Sequence, residues 1–483
     1  MTDTLQAAYD NLLEHPIANG LLPHLLTVVG FLLAIFAIAR LMSERKQPGN
    51  TFAWLFAFAF IPYVGVPLYL LFGGRKLRKL AERKARLCPV NPTRVDVPEN
   101  AGFAARVFAS NGASAPIGGN RVNFMLNGED SFAALERGIR EARESIHIMT
   151  FILGRDEVGR RIVQLLAERA KAGVKVRLLL DALGCFPTSG RFCDPIREAG
   201  GEVVRFMPML PLQTRWSANL RNHRKIAIID HRFAAVGGRN LAREYMGPTP
   251  LKRRWRDLGA VIEGPAVRQL EEVFLADWAF ASDQPFNRLL KELPEAWPAA
   301  DGPADLQVVA SGPDVAGDPL YEGILSLVQQ AQRSVWIVTP YFIPDEVLQR
   351  SLMVQARAGL DVRIVVPARS NHRITDLARR HHLNELQAAG VKVLLYQPGM
   401  NHAKLLLVDG ETALFGSANM DLRSLFVNFE IGLVTYSAAE ARTLREWMLE
   451  VMTLSKPMSD RKKSRRFLPA FGEEIARLLA PLL

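Results

Sequence analysis

Residues 223–230 read His-Arg-Lys-Ile-Ala-Ile-Ile-Asp, and residues 402–409 read His-Ala-Lys-Leu-Leu-Leu-Val-Asp. Both are His-x-Lys-x4-Asp. Each is followed at the same offset by a small-residue turn and an asparagine, Gly237–Gly238–Arg239–Asn240 in one and Gly416–Ser417–Ala418–Asn419 in the other. One such pattern alone is what a surface strand with chance polar residues would give. Two with matched downstream spacing, in two sequence-related halves, imply a single active site that needs both. The apolar runs Ile226–Ile229 and Leu405–Val408 read as strands, so a His and a Lys two residues apart project from the same face. The glycines fall in the turn after the next short strand. There they let the backbone crowd a ligand while Asn240 and Asn419 offer side-chain amides.

The repeat extends outward from the motifs. In the first half Phe132–Ala142 reads as a helix, Ser145–Phe151 as a buried strand, Val158–Ala172 as an amphipathic helix and Val174–Leu180 as a second strand. The second half repeats the order with the strand Ser334–Tyr341, the helix Glu346–Ala358 and the strand Leu360–Val366. Such alternation predicts an α/β fold of two duplicated halves, each a mixed β-sheet flanked by helices, sharing one active site. One difference stands out. Residues 208–222 before His223 form a long loop with Met209, Leu210, Leu212, Arg215 and Trp216, whereas its counterpart before His402 is only residues 397–401. It reads either as an ordinary long loop or as a lid contacting acyl chains.

A chain of 483 residues holds two or three domains. Its net charge of +11 calls for a polyanionic partner, either nucleic acid or an anionic membrane surface. Cys88, Cys185 and Cys193 have no metal-ligand spacing and read as reduced structural thiols.

The apolar residues gather near the N-terminus. Segments 21–42 and 52–72 are almost free of charge, and about 20 residues suffice to cross a hydrocarbon core of about 30 Å. The start carries Asp3, Asp10 and Glu14, which is unlike a signal peptide, so a transmembrane or re-entrant region is expected. Pro62, Gly65 and Pro67 interrupt the second segment and leave open a kink or a dip and return. The basic run from Arg75 to Arg86 marks the cytoplasmic side and places the body of the chain there, beside anionic headgroups. The expected domains are a membrane region over 1–75, a basic linker over 76–120, a first half over 121–300 and a second half over 301–483. The last ends in a basic, amphipathic tail from Lys456, which reads as a membrane-surface helix or as one packed on the body.

If His223 and His402 face each other across one phosphate, one imidazole can attack phosphorus and form a phosphohistidine. The other can protonate the leaving alcohol and then deprotonate the acceptor. Lys225 and Lys404 neutralise the non-bridging oxygens and Asn240 and Asn419 add donors, so no metal or other cofactor is required. Glu430, and Asp257 at a different offset from its asparagine, are the candidates to orient the histidines. Asp230 and Asp409 lie at strand ends, with a turn-holding role competing against a catalytic one. Ser417, opposite Gly238, is a candidate for the oxyanion pocket. His147 reads as a core or sheet residue, and His372, His381 and His382 as part of a basic helical face.

At these residues the chain resembles the phospholipase D superfamily, and within it the bacterial cardiolipin synthases. Residues 68–76 (LYLLFGGRK), 339–346 (TPYFIPDE) and 428–434 (NFEIGLV) carry the narrower likeness. Gly238 departs from the serine that the family motif often has. The resemblance implies transfer of a phosphatidyl group from one phosphatidylglycerol to a second, releasing glycerol, at the inner membrane of a bacterial cell. It also implies His223 as nucleophile and His402 as acid and base. A phospholipase D using water or another alcohol is the nearest alternative. A membrane-tethered nuclease fits less well, because aromatic residues are not interleaved with basic patches and no nucleic acid is expected.

Overall fold

The computed structural model describes residues 22–42, 48–72, 84 and 102–459, apart from 189, 209–219, 296, 298–300 and 316. Most of the basic run 75–86, Cys88, most of the long loop before His223 and the tail beyond 459 lie outside the described residues. The chain forms two units, Met1–Arg75 and Lys76–Leu483.

The first unit holds α1 (Leu22–Met42), α2 (Pro48–Phe60) and α3 (Pro62–Phe72). The second apolar segment is therefore two short helices, parted at Ile61 because Pro62 has no N–H to give. A Cβ on Gly65 would lie 2.6 Å from the Ala57 carbonyl oxygen, so this approach of α3 to α2 tolerates only glycine. Trp54, Phe58 and Tyr69 pack edge to face inside the unit. Leu25, Phe31, Leu32, Phe36, Phe56 and Phe60 are exposed. Among the described residues no helix is long and apolar enough to cross a membrane.

The second unit carries the strands. Those before residue 264 are β1 (Ile117–Gly119), β2 (Arg121–Met125), β3 (Ser145–Thr150), β4 (Lys175–Asp181), β5 (Glu202–Phe206), β6 (Ile226–Ile229), β7 (Phe233–Gly237) and β8 (Gly259–Glu263). After it come β9 (Gly302–Ser311), β10 (Ser334–Val338), β11 (Phe342–Ile343), β12 (Asp361–Pro367), β13 (Lys392–Tyr396), β14 (Leu405–Val408), β15 (Thr412–Gly416), β16 (Met420–Asp421), β17 (Glu430–Thr435) and β18 (Ser455–Pro457). One large sheet has the order β2-β8-β7-β6-β3-β4-β5 and the other β1-β9-β17-β15-β14-β10-β12-β13-β18, while β11 and β16 pair by themselves. Without its edge strands β1 and β18, the second sheet repeats the first strand for strand. In each, three strands run parallel and the rest pair antiparallel, β3 with β6 and β10 with β14.

The repeat reaches the caps. Asp156 accepts from the Gly159 N–H and Asp345 from the Leu348 N–H, each opening the helix after the first parallel strand. Residues 103–119 differ from the expected linker. Phe103–Ser110 is a helix whose Phe108 packs where Gly323 leaves room, and β1 pairs with β9, so both build the second half. The two sheets and the helix Ala266–Ser282 share one core containing Phe274, Trp278, Trp336, Leu405 and Phe415. Each large side chain buried there contributes about 2–3 kcal/mol, so the halves stabilise each other.

Asp230 and Asp409 have the same place in both halves, and it is away from the histidines. Each ends its strand with positive φ, 49° and 55°. Asp230 accepts from the N–H groups of Arg143, Glu144 and Ser145 at 2.8–2.9 Å. Asp409 accepts from those of Gln332, Arg333 and Ser334 at 2.7–2.9 Å. At about 3.3 Å per strand residue, each aspartate sits about 16 Å along its strand from the motif lysine. Both are turn clamps. Asp230→Ala and Asp409→Ala should each lose about 2–4 kcal/mol of stability, read from urea unfolding, while the folded fraction keeps its specific activity. A loss of turnover without loss of stability would contradict the assignment.

Candidate active site

His223 and His402 precede β6 and β14, at the end of the sheets where the parallel strands finish. Each is held by the other half. The His223 N–H donates to the Phe429 carbonyl at 2.9 Å, and the Phe429 N–H to that of Arg221 at 2.9 Å. In the same way the His402 N–H donates to the Arg256 carbonyl at 2.6 Å, and the Arg256 N–H to that of Met400 at 2.9 Å. These pairs are short parallel bridges, Asn222 with Phe429 and Arg256 with Asn401.

The residue after each bridge partner is an acid, so each histidine receives its carboxylate from the opposite half. Nδ1 of His402 lies 2.7 Å from Asp257 Oδ2, and Nδ1 of His223 lies 3.4 Å from Glu430 Oε1. The different sequence offsets of these acids disappear in the sheets. Gly237 pairs with Gly259 and Gly416 with Gly432, so Asp257 and Glu430 stand two residues before equivalent glycines. Both carboxylates are wholly buried. Burial pushes each pKa up, but His402, Lys404 and Arg239 hold Asp257 down to about 2, and His223, Lys225 and the Ser417 hydroxyl lower Glu430. Both acids are therefore ionised at neutral pH.

Lys404 lies against its imidazole, and Lys225 reaches the backbone of its own motif histidine. Lys225 Nζ donates to the His223 carbonyl at 2.5 Å, and Lys404 Nζ lies 2.8 Å and 3.0 Å from Nδ1 and Nε2 of His402. Burial lowers His223, partly offset by Glu430. Burial and Lys404 bring His402 down to about 4, and burial with Lys225 brings Lys404 down to about 7. The Lys225 charge adds to the lowering of both His402 and Lys404, so the two motifs lie within electrostatic reach of each other. Burial thus favours the neutral form of both imidazoles. The His223 side chain is 22% exposed and the His402 side chain 10%. Phe151 packs against His223 at 4.1 Å, whereas Tyr245 and Trp255 flank His402 at 5.1 Å and 5.5 Å.

Asn240 accepts from the Ile152 N–H at 3.1 Å through Oδ1. Asn419 is buried in the corresponding turn. Ser417 Oγ donates to Glu430 Oε2 at 2.5 Å, so this hydroxyl acts on the orienting acid. A Cβ on Gly238 would lie 2.4 Å from Asp257 Oδ1, so the shorter acid occupies the space of a serine there. Of the residues expected in the site, His223, Lys225, Asn240, Asp257, His402, Lys404, Ser417, Asn419 and Glu430 cluster at this end of the sheets, and only Asp230 and Asp409 do not. Among the described residues no three His, Cys, Asp or Glu side chains are grouped to hold a metal ion.

Sequence reasoning missed a buried ion network behind His223. Arg224 makes two 2.8 Å bonds to Asp277 and donates to the Glu430 carbonyl at 3.0 Å. Lys84 reaches Asp277 at 2.5 Å and Asp314 at 2.6 Å, and Asn222 Nδ2 donates to Asp277 at 2.9 Å. The available signal was Asp277 itself, a lone acid in the apolar helical stretch 273–280. Asp181, Arg221 and Asp421 are further buried charges near the site that motif reading did not reach. His147 pairs with Glu271 in the core, and Cys185 and Cys193 are buried free thiols.

The family described as cardiolipin synthase, PLD-like domain, matches residues 135–278 and 324–452, and the phospholipase D-nuclease N-terminal family matches residues 32–74. A cardiolipin synthase of Geobacillus kaustophilus is 32% identical over 96% of this chain and 95% of its own length. Cardiolipin synthase A of Pseudomonas aeruginosa is 36% identical over 96% of both chains. The crystal structure of a phosphatidylserine synthase from Haemophilus influenzae aligns over 75% of this chain and 93% of its own, with a TM-score of 0.55 and 16% identity, a likeness of fold. The chain belongs to the cardiolipin synthase family, phosphatidyltransferases of the phospholipase D type.

The ion network yields a stability prediction. Asp277→Ala strands Arg224 and Lys84 in the interior and should cost about 3–5 kcal/mol, read from unfolding of the detergent-solubilised chain. A cost below about 1 kcal/mol would show that the network does not hold the halves.

Proposed function

We propose that this member of the cardiolipin synthase family joins two phosphatidylglycerol molecules into cardiolipin and glycerol through a phosphohistidine. The observation that carries the reading is the reciprocal pairing of His223 with Glu430 and His402 with Asp257. It gives two histidines, each oriented through Nδ1, beside two lysines. In the first step Nε2 of His223 attacks phosphorus, and the P–O bond to glycerol breaks as His402 supplies a proton to the leaving oxygen. In the second, the free hydroxyl of another phosphatidylglycerol gives its proton to His402 and attacks phosphorus, releasing His223. Glu430 stabilises the phosphorylated imidazole, while Lys225 and Lys404 meet the non-bridging oxygens and Asn240 and Asn419 add donors. His223 suits the nucleophile because it is the more open of the two and must carry a bulky group. His402 suits the acid once phosphate draws Lys404 away from its ring, which relieves the charge that lowers its pKa.

The reading extends to place. The exposed apolar side chains of α1 and α2 support an N-terminal unit embedded in the bacterial inner membrane, with the catalytic body on the cytoplasmic side and the basic run 75–86 beside anionic headgroups.

Purified protein with phosphatidylglycerol vesicles should release glycerol and form cardiolipin, whereas phosphatidic acid as main product would make it a hydrolase. His223→Ala and His402→Ala should each lower turnover about a thousandfold or more. With an activated leaving group, His402→Ala should still accumulate an acid-labile phosphatidyl-enzyme and His223→Ala should not; the opposite pattern would reverse the two roles.

The pH dependence follows from Lys404. Its pKa near 7 means that the free enzyme loses this cation as pH rises through that value, and a phosphodiester then binds less well. The kcat/KM profile should therefore fall on its alkaline side from about pH 7. Lys404→Arg keeps the charge and should shift this limb upward; an unmoved limb would assign it to another group.

A further inference from the structure

We infer that the catalytic body has a membrane-docking rim of its own around the mouth of the site, separate in sequence from the N-terminal helices. The inference rests on the proposed lipid substrates, since a headgroup phosphate still anchored in a bilayer has to reach both histidines.

Topology brings the rim together. In both sheets the parallel strands end where His223 and His402 lie, so every loop leaving those ends borders the mouth. Leu183 and Phe186 lie in the turn after β4, Leu251 in the loop between β7 and β8 that carries Asn240 and Asp257, and Val347 in the first turn of the helix Glu346–Arg357 after β10. Ile374 opens the helix Arg373–Ala388 after β12, and the Leu454 carbonyl accepts from Gln397 just past β13. These six side chains are between 41% and 69% exposed, with Phe186 the most open. Among the described residues of the body, the other large apolar side chains this exposed are Phe103 and Val354. Exposure of large apolar groups is thus concentrated at the end of the sheets that holds the chemistry, although single exposed residues scatter over ordinary surfaces.

Charge selects the partner. Lys252 and Arg253 follow Leu251 directly, and Arg369 and Arg373 flank the turn before Ile374, all four exposed. Arg155 and Arg243 are exposed at the same end as well, and Asp130, Glu157, Glu322 and Glu346 are exposed acids there, so the bases predominate without being alone. Apolar side chains of moderate size set among lysine and arginine match the boundary between acyl chains and anionic headgroups.

The test uses the full chain in nanodiscs. Phosphatidylglycerol is supplied either in the disc bilayer or, to phosphatidylcholine discs, as the water-soluble dihexanoyl form. The triple variant Phe186→Ser, Val347→Ser and Ile374→Ser should raise KM for bilayer phosphatidylglycerol about tenfold or more and leave turnover of the dihexanoyl form unchanged. Equal losses on both substrates would make these residues part of the fold or site, and no loss on either would remove the rim; both outcomes overturn the inference. A readout that needs no turnover uses Phe186→Cys in a Cys88→Ser background, labelled with bimane in discs containing doxyl lipids. Cys185 and Cys193 are buried, and burial pushes both thiols up, so the label goes to position 186. Quenching supports docking even if no cardiolipin forms, in which case the proposed function fails alone; an unquenched probe overturns the docking.

Discussion

The exchange of acids between halves is the constraint on which the rest of the site depends. His223 would have no orienting carboxylate without Glu430, and His402 none without Asp257. Both acids are buried to the point of having no solvent of their own, and their charges are held by cations of the opposite motif. A buried carboxylate stripped of such partners is costly by several kcal/mol. Chemistry and stability are therefore satisfied by the same contacts. A chain with one intact motif would lose both a catalytic imidazole and the counter-charge of the other half's acid. The two bridges, Asn222 with Phe429 and Arg256 with Asn401, set the precision of this exchange, because each fixes a histidine and an acid from opposite halves by backbone hydrogen bonds alone.

The pseudo-symmetry is broken by one methylene. Glutamate reaches His223 from farther away, and its second oxygen is tied down by the Ser417 hydroxyl. Aspartate approaches His402 more closely, and Gly238 leaves the space that its carboxylate fills. Serine and glycine at these equivalent positions are thus consequences of the length of the acid. Seen from sequence, Gly238 looks like a missing oxyanion donor. In the folded chain the Ser417 hydroxyl donates to Glu430, and Asp257 fills the space that a serine side chain would take at Gly238.

Much of the fold was legible from local pattern. The alternation of apolar strands and amphipathic helices predicted the two sheets, and the repeated Ala-Gly turns at Gly173 and Gly359 correspond to left-handed positions that close equivalent helices. The motif residues were legible because catalysis demands particular side chains at particular spacing. Other features were hidden for physical reasons. The equivalence of Asp257 and Glu430 is set by strand register, and a longer loop before Asp257 conceals it along the chain. The helix Phe103–Ser110 and β1 belong to a sheet whose remaining strands begin near residue 302, a pairing no local period can reveal. The Lys84–Asp277–Arg224 network depends on three distant segments meeting. The motif aspartates, for which a turn-holding role was already legible, show that matched spacing in two copies marks a shared backbone need as readily as a shared reaction.

The site carries more positive charge than its own acids balance. Lys225, Lys404 and Arg239 are all buried, and burial lowers both lysines and brings Arg239 down to about 10, whereas Arg224 is paired with Asp277. Two ionised acids offset part of this, but each is committed to a histidine. What remains is a potential that a phosphodiester anion would satisfy and that water satisfies poorly. An arriving phosphate raises the pKa of every cation it meets, so binding should draw protons onto groups held neutral in its absence. His402 is the group best placed to receive one, because its lowered pKa has Lys404 among its chief causes after burial. On the proposed mechanism this electrostatic frustration is the means by which a substrate would charge its own general acid, and neither half of the chain could store it alone.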